Sequence, residues 1–278
     1  MKNKGLLSIL IICFAPLSSP AVAASLSVGC GGDYPTIQAA VNAAGTYDTI
    51  TVCPGDYGES VLIQTEGLTV QSTEISERGP NTIVTRFAIG FAPNVGPHSV
   101  TIKGFTVSGP AGVCIESSGD YSTIAFNSVN SCGIGIRVNR GNVGNNVHHN
   151  VVSGTPGTGI EVEGYYDGCC GGTAGPGWNH NIHQNIVTTT AGEGCFYVWA
   201  DYSQVHQNQA DGCFGNGGIN AVRSEGLHIH HNQICSSIEL WAAEYAFVHH
   251  NELTGSINNA GDNTLKKNKE NLSSCPID

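Results

Sequence analysis

The segment Ile182-His183-Gln184-Asn185-Ile186-Val187 carries the pattern that decides the fold: an aliphatic residue, two variable residues, asparagine, a variable residue and an apolar one. The asparagine of this pattern recurs seven times, at Asn127, Asn150, Asn185, Asn208, Asn232, Asn251 and Asn268. The steps between them are 23, 35, 23, 24, 19 and 17 residues, and an earlier copy carries Phe105 in the asparagine position. A repeat of this length cannot bury its own apolar face, so the repeats must stack on one another.

Each repeat predicts three short strands in which inward and outward side chains alternate. In the coil quoted above, Ile182 and Val187 are expected to point inward from the first two strands. The third strand of that coil is the segment Phe196-Tyr197-Val198. Stacked repeats then place equivalent strands parallel to one another, about 4.8 Å apart. The pattern therefore predicts an all-β solenoid.

The repeated asparagines have a structural interpretation. Asparagine tolerates the left-handed backbone conformation that a sharp corner requires better than most residues do. In stacked coils each side-chain amide can also bond to the next one, which forms a ladder inside the solenoid. We therefore expect a structural asparagine ladder rather than a set of catalytic residues.

A short amphipathic helix is predicted over Tyr34–Ala44, ahead of the coils. Ile37, Ala40, Val41 and Ala44 fall on one face of it, and Gly45 ends it. We expect this helix to cap the N-terminal end of the solenoid.

The helix is followed by Thr49-Ile50-Thr51-Val52-Cys53-Pro54-Gly55-Asp56-Tyr57-Gly58-Glu59-Ser60-Val61 and then by the asparagine-centred coils. This arrangement resembles the right-handed parallel β-helix proteins of the pectin-lyase-like superfamily over roughly residues 33–270. The resemblance implies a right-handed parallel β-helix of about nine or ten coils with a short N-terminal helix cap. That fold hosts lyases, hydrolases, esterases, epimerases and non-catalytic surface proteins. The signatures of the known enzymes are missing, so no catalytic residue is carried over.

The first residues predict a secretory signal at 1–23, followed by one domain over 24–278 whose coils span about 48–270. Lys2 and Lys4 precede an apolar run that is too short to span a bilayer, and Ala21-Val22-Ala23 is a small-residue cleavage site. We expect a secreted or periplasmic monomer without a membrane span. The 11 basic residues against 22 acidic ones, a net charge of −11, argue against nucleic acid as a partner.

Ten cysteines remain outside the predicted signal, and an even number in an exported chain predicts disulfides. We expect Cys30–Cys53, which would fix the helix to the first coil, and we consider Cys213–Cys235 a further pair. A zinc site is the alternative, but the cysteines show no CxxC spacing.

In this superfamily the substrate groove runs along the outer face of one sheet, and the third strand of each coil is its counterpart here. Alternation places carboxylates, an arginine and aromatic rings on that face, a mixture suited to sugar polymers. The candidate catalytic residues are Arg137, Glu161, Glu163 and Asp201. The candidate substrate-binding residues are Tyr197, Trp199, Glu239 and Trp241, with Tyr165, Tyr166 and Trp178 from the insertion that follows Glu163. A divalent cation such as calcium is left open as a cofactor.

A column of histidines stands two residues before the asparagines, at His148, His183, His206, His230 and His249. Stacked coils would bring neighbouring rings to about 5 Å, which suggests a site for zinc, copper or nickel. Simple ring stacking on a solvent-facing strand is the alternative. Protonation of the column in acid is expected to crowd positive charge and lower stability.

Three functions follow from these observations. The first is an exported protein that binds or cleaves a polysaccharide, with an acidic glycan as the expected partner and a lyase or glycoside hydrolase as the catalytic form. The second is a non-catalytic structural or adhesive surface protein. The third is an exported metal-binding protein that uses the histidine column. The residues alone do not decide between cleavage and binding.

Overall fold

The computed structural model describes residues 23–77, 79–90, 96–109, 112–163, 177–188, 194–213 and 217–275. The predicted signal segment lies almost entirely outside the described residues, as do Tyr165, Tyr166, Cys169 and Cys170. No described helix is long and apolar enough to cross a membrane.

The described chain is a parallel β-solenoid of about nine turns, built from three long sheets. Every strand pairs in parallel with the equivalent strand of the next coil, as in the register Ile182↔Val205. This confirms the predicted fold class. One further pair of short strands, Gly177–Trp178 and Ala200–Asp201, lies between the third sheet and the first.

Sheet 1 contains eleven described strands and carries the first aliphatic residue of each repeat. Its strands are Ser25–Val28, Thr49–Val52, Thr69–Ser72, Thr101–Lys103, Thr123–Ala125, Asn146–His148, Asn181–His183, Gln204–His206, His228–His230, Phe247–His249 and Thr264–Lys266. The first of these strands was not predicted, although Leu26 and Val28 alternate with serines and are both buried.

Sheet 2 follows the asparagine corner and contains nine described strands. They are Gly55–Asp56, Thr82–Val84, Thr106–Ser108, Ser128–Asn130, Val151–Ser153, Ile186–Thr188, Gln209–Asp211, Gln233–Ile234 and Glu252–Leu253.

Sheet 3 holds the predicted third strand of each coil, again with nine described strands. They are Ser60–Ile63, Arg86–Ile89, Val113–Ser117, Ile134–Val138, Ile160–Val162, Phe196–Val198, Ile219–Val222, Ile238–Trp241 and Ile257–Ala260.

The core is the interior of the solenoid, filled by the inward residue of each strand. The predicted inward residues of sheet 1 are at most 1% exposed: Ile124, Val147, Ile182, Val205, Ile229 and Val248. Phe87 and Phe105 meet edge to face, with ring centroids 4.9 Å apart, near the N-terminal end. The alternation of inward and outward residues thus leaves the outer faces of all three sheets to polar and aromatic side chains.

The N-terminal helix runs from Ile37 to Ala43 and is shorter than predicted. Thr36 takes an extended conformation as the N-cap, and its hydroxyl accepts a hydrogen bond from the Ala39 N–H at 3.2 Å. The Glu59 carboxylate, from the coil below, accepts hydrogen bonds from the N–H groups of Ile37 and Gln38, both at 2.9 Å. These bonds satisfy the free donors of the first turn and place a negative charge at the positive end of the helix dipole.

Among the described residues, four disulfides join Cys30–Cys53, Cys114–Cys132, Cys195–Cys213 and Cys235–Cys275. The first is the expected pair. The suggested Cys213–Cys235 pair is wrong, because Cys213 bonds to Cys195 and Cys235 bonds to Cys275. Equivalent positions on successive coils did not predict the pairing correctly. Cys114 and Cys195 lie at the start of sheet 3 strands, and each pairs with the cysteine that follows the next strand of sheet 2.

The repeated asparagines form one continuous hydrogen-bonded row inside the corner between sheets 1 and 2. Asn185 Oδ1 accepts from both the backbone N–H and the side-chain Nδ2 of Asn150, each at 3.0 Å. Its own Nδ2 donates to Val147 O at 2.9 Å and to Asn208 Oδ1 at 3.0 Å. At the N-terminal end, the backbone N–H of Phe105 donates to Asn127 Oδ1, so the row begins where the phenylalanine replaces asparagine.

The left-handed residue of this corner is the one before the asparagine, not the asparagine itself. Gln184, Gln207 and His231 have φ of 55°, 55° and 57°, and the same holds on the other asparagine-bearing coils. The asparagine is therefore required for its amide, which bonds to two coils at once, rather than for its tolerance of unusual backbone angles.

A second buried row lies at the corner between sheets 3 and 1. The N–H of Ser122 donates to Asn145 Oδ1 at 3.0 Å, and the N–H of Asn145 donates to His180 Nδ1 at 3.1 Å. His180 is 2% exposed, and its backbone N–H donates to Ser203 Oγ at 3.0 Å. Burial lowers the pKa of His180 to about 4, against a weaker opposing effect of the Asn142 backbone.

We expect Asn185→Ala to lower the free energy of unfolding by about 3 kcal/mol, because four side-chain hydrogen bonds are lost and buried partners are left unpaired. Urea unfolding followed by circular dichroism measures this. The matched control is Asn130→Ala, on the half-buried outer side of sheet 2, which should change stability by less than about 0.5 kcal/mol. Equal losses in the two variants would contradict a structural role for the row.

We expect stability to fall as the pH drops from about 6.5 towards 4, in part because of His180. The unfolded histidine takes up a proton near pH 6.5, whereas the folded ring resists protonation until about pH 4, since a protonated Nδ1 cannot accept from Asn145. The stability that neutral His180 contributes is fully present above about pH 6.5, the pKa of the unfolded histidine, and is lost as the pH falls from there to about 4. His180→Asn, which copies Asn145 of the preceding coil, should remove about 3 kcal/mol of the pH dependence.

Ser122 provides the control for this measurement, because it belongs to the same buried row and its side chain does not titrate. Ser122→Ala should leave the pH dependence of the melting temperature unchanged. If His180→Asn retains the full wild-type slope between pH 7 and 4.5, the assignment to His180 fails.

Candidate functional site

The outer face of sheet 3 carries several of the candidate site residues that the sequence predicted. Arg137, Glu161 and Tyr197 are direct register partners on three successive coils. Cys114 occupies an outward position by strand alternation but is 2% exposed, because its sulfur turns into the disulfide with Cys132. Asn220 lies outward but is also 2% exposed, between the neighbouring strands of Tyr197 and Glu239.

Ion pairs dominate the N-terminal half of this face. Arg86 Nη2 is paired with Glu116 Oε2, and the other oxygen of that carboxylate accepts from Asn139 Nδ2 at 2.9 Å. Both interactions cross from one coil to the next and fix the carboxylate in place.

The next coils hold a cluster of two arginines and two glutamates. Arg137 Nε and Nη2 both donate to Glu161 Oε2, at 3.1 and 3.0 Å, and Nε also lies 3.5 Å from Glu163 Oε1. Glu163 Oε2 is 3.3 Å from Arg140 Nε. The structure thus brings together three of the four predicted catalytic residues, in a charge-balanced cluster in which Arg137 and Glu163 each have two partners.

Asp201, the fourth predicted catalytic residue, takes no part in this cluster. It lies at the corner towards sheet 1, where its Oδ1 accepts from the N–H of Glu225 at 2.7 Å. Burial raises the pKa of Asp201, and the nearby Glu225 carboxylate adds to the effect while the hydrogen bond from the Glu225 backbone opposes it. Trp178 is its partner across the two-stranded pair and is half exposed at this corner.

The C-terminal half of the sheet 3 face contains an open concavity of about 590 Å³. It is lined by Tyr197, Trp199, Asn220, Val222, Arg223, Trp241 and Ala242. Three of the predicted binding aromatics therefore meet in one place. Trp241 is 58% exposed, which is unusual for so large an apolar ring.

Arg223 is the cation of this concavity, and sequence reasoning missed it. Its guanidinium carbon lies 5.5 Å from the centroid of the Trp199 ring, a cation–π distance. Strict alternation assigns the outward position to Val222, so Arg223 was not selected. The backbone at Arg223 has φ of 48°, which ends the alternation and turns the side chain over the groove. Its place directly after a strand was the only available signal.

Glu239 lies on the same face but does not line the concavity. Its Oε1 accepts from Ser237 Oγ and from Asn258 Nδ2, both at 2.7 Å. Glu239 is therefore part of the edge of the groove near the C-terminal end.

The predicted histidine column is present on the outer face of sheet 1, away from the groove. Its rings stack with interplanar angles of 2° to 11° and centroid distances of 4.9, 5.0, 4.8 and 5.0 Å from His148 to His249. Burial lowers the pKa of His148 and His230 to about 4, and the neighbouring imidazoles act in the same direction. His148 and His230 are thus uncharged near neutral pH, and their protonation belongs to the acid range.

Comparisons with known proteins give structural likenesses only. No family model matches the chain, and no curated protein matches its sequence. A PL6 family alginate lyase, AlyGC, superposes with a TM-score of 0.63 at 15% identity, covering 90% of this chain and 39% of the lyase. A second structure of that lyase gives 0.60 at 15% identity, covering 84% and 37%. The A-module of the Azotobacter vinelandii mannuronan C-5 epimerase AlgE6 gives 0.46 at 14% identity, covering 86% and 91%.

The chain spans about two fifths of the length of the lyase that it matches. At 15% identity this likeness bears on the fold alone. Together with the three parallel sheets, it shows that the chain has a parallel β-helix fold, as the repeats predicted.

Proposed function

We propose that this protein binds an acidic polysaccharide along the outer face of sheet 3. The observation that carries the proposal is the concavity in which Tyr197, Trp199 and Trp241 surround Arg223. This arrangement supplies apolar ring faces and a fixed cation within one open groove.

The aromatic residues supply the surface for sugar rings. Tyr197 and Trp199 come from one coil, and Trp241 comes from the second coil after it, so the rings are spread over about 10 Å of the solenoid axis. Aromatic side chains bury large apolar areas and carry a polar edge, which suits the apolar face and the hydroxyl rim of a pyranose. An open groove along the axis also allows a long polymer to pass through.

Arg223 is the group suited to a uronate carboxylate. A guanidinium presents a planar fork of donors that matches a carboxylate, and stacking on Trp199 restricts its position. The protein as a whole has a net charge of −11 and so repels polyanions at long range. Recognition must then come from local contacts, which favours a glycan held ring by ring over nucleic acid held by its phosphates.

The structural neighbours support the same class of ligand. The lyase that superposes with a TM-score of 0.63 is named for alginate, an acidic polysaccharide. The four disulfides support export, where such polymers are met, because disulfides persist in oxidising compartments.

Cleavage of the polymer is the second candidate, favoured by the cluster of Arg137, Glu161 and Glu163 on the two coils before Tyr197. A lyase requires a base together with a cation that neutralises the uronate, and a glycosidase requires two carboxyl groups. The cluster contains groups of both kinds on the same face as the concavity. Added calcium tests whether a cation supplements Arg137.

We expect the purified protein to bind alginate or polygalacturonate and the double variant Trp199→Ala/Trp241→Ala to raise the Kd by at least about tenfold, because the apolar platform is lost. Arg223→Gln should weaken binding of these acidic polymers while leaving binding of a neutral glucan unchanged. Affinity electrophoresis and titration calorimetry, with and without calcium, measure both effects. Tyr47→Ala is the control, since that ring is 60% exposed and lies far from the groove.

The outcomes separate the candidate functions. New unsaturated or reducing ends that disappear in Arg137→Ala and Glu161→Gln would assign cleavage to the cluster. Binding without new ends would leave a binding protein. No binding to any polymer of a broad panel, or equal loss in Tyr47→Ala, would overturn the proposal in favour of a structural or adhesive surface protein.

A further inference from the structure

Pairs of adjacent histidines face each other through their Nδ1 atoms at the corner between sheets 1 and 2. His230 Nδ1 lies 3.0 Å from His231 Nδ1, and His249 Nδ1 lies 2.7 Å from His250 Nδ1. The two pairs stand on successive coils, with His230 stacked on His249 and His231 stacked on His250, both at 5.0 Å. The four rings form a two-by-two array on the protein surface.

The corner itself creates this geometry. The first histidine of each pair is the outward residue that ends a sheet 1 strand. The second has a left-handed backbone, with φ of 57° at His231 and 54° at His250. This conformation turns the second ring back towards the first, at a nearly perpendicular angle of 88° in the first pair and 83° in the second.

Two Nδ1 atoms at this separation match the bite of a single transition-metal ion. Imidazole nitrogens bind such ions at about 2.0–2.1 Å, so two cis ligands at a right angle lie about 2.9 Å apart. The observed 2.7 and 3.0 Å lie on either side of this value. Right-angle nitrogen ligands are typical of tetragonal copper(II) and nickel(II), and copper(II) binds most tightly in the divalent series.

We propose that each adjacent histidine pair is a bidentate site for Cu²⁺, with water in the remaining positions. Without the ion, one Nδ1–H donates to the other Nδ1. On binding, that ring becomes the Nε2–H tautomer, so both Nδ1 lone pairs reach the metal and no redox change is involved. Nickel(II) binds the same sites more weakly than copper(II) does.

The stacked column alone does not meet the same requirement. Parallel rings 4.8–5.0 Å apart hold equivalent nitrogens at about that distance. One ion reaches two imidazole nitrogens only up to about 4.2 Å apart, at twice the bond length. A histidine of the stacked column therefore needs a second ligand from its own coil, rather than from the next coil, to hold a metal ion.

The chain contains its own comparison coils. Gln184 and Gln207 occupy the second place of the pair, and their Oε1 atoms lie 3.0 and 3.2 Å from the Nδ1 atoms of His183 and His206. These coils keep the corner, the stack and the asparagine row with only one imidazole. In the coil that follows His249 and His250, Lys266 and Lys267 occupy the two positions of the pair. A third pair, His148 and His149, repeats the contact at 2.8 Å.

The test uses the full chain without a polyhistidine tag, stripped of metal with chelator and titrated with CuCl₂ against a weak competing ligand. Calorimetry gives affinity and stoichiometry, and electron paramagnetic resonance reports the coordinating nitrogens. The wild type should bind Cu²⁺ with the signature of two imidazole nitrogens per ion. The triple variant His149→Gln/His231→Gln/His250→Gln, which copies the glutamine coils, should lose at least about tenfold in affinity together with that signature.

His206→Gln is the control, because it interrupts the stacked column without changing any pair. It should bind Cu²⁺ as the wild type does, and all variants should keep the wild-type far-ultraviolet circular dichroism. The proposal is overturned if the wild type shows no binding at 100-fold excess of copper over protein. It is equally overturned if the triple variant binds as tightly as the wild type, or if His206→Gln loses as much affinity as the triple variant.

Discussion

The asparagine row holds the coils in register, and the outer faces depend on it. Each amide between the two ends of the row accepts two hydrogen bonds from the preceding coil and donates one to a backbone carbonyl of that coil and one to the amide of the next coil. A slip of one residue in any coil would break the row and turn every inward side chain outward. The row therefore explains how arginines, aromatics and histidines from distant parts of the sequence become aligned columns on the surface.

Two of the three corners are stabilised by hydrogen-bonded rows that are built from different groups. At the corner between sheets 1 and 2 the asparagines form the row, while the residue before each of them absorbs the left-handed turn. At the corner between sheets 3 and 1, serine, asparagine and histidine alternate as acceptors for the backbone N–H groups. Buried polar groups at a turn must be paired, and stacking allows each coil to satisfy the next. The sheets between the corners are then free to vary on their outer faces, and function can be placed there.

Much of this could be predicted from the sequence, because the repeated asparagine marks the same place in each coil and so relates chain position to spatial position. Counting from each asparagine predicts the three sheets, the inward residues and the histidine stack. It also predicts the outward positions of Arg137, Glu161 and Tyr197. The rule fails where the backbone leaves the strand. Arg223 was missed because a left-handed residue ended the alternation. The pairing predicted for Cys213 was wrong because the chain leaves the line of the strand at a corner. The facing Nδ1 atoms of the histidine pairs also depend on a corner angle that strand alternation does not describe.

The central claim is that sheet 3 presents a sugar-binding groove in which aromatic rings and one arginine act together. Its most direct test is a crystal structure of the protein with a uronate oligosaccharide of four to six units. The account predicts pyranose rings against Trp199 and Trp241 and a sugar carboxylate within hydrogen-bonding distance of the Arg223 guanidinium. An oligosaccharide bound on another face, with the groove filled only by solvent, would contradict it.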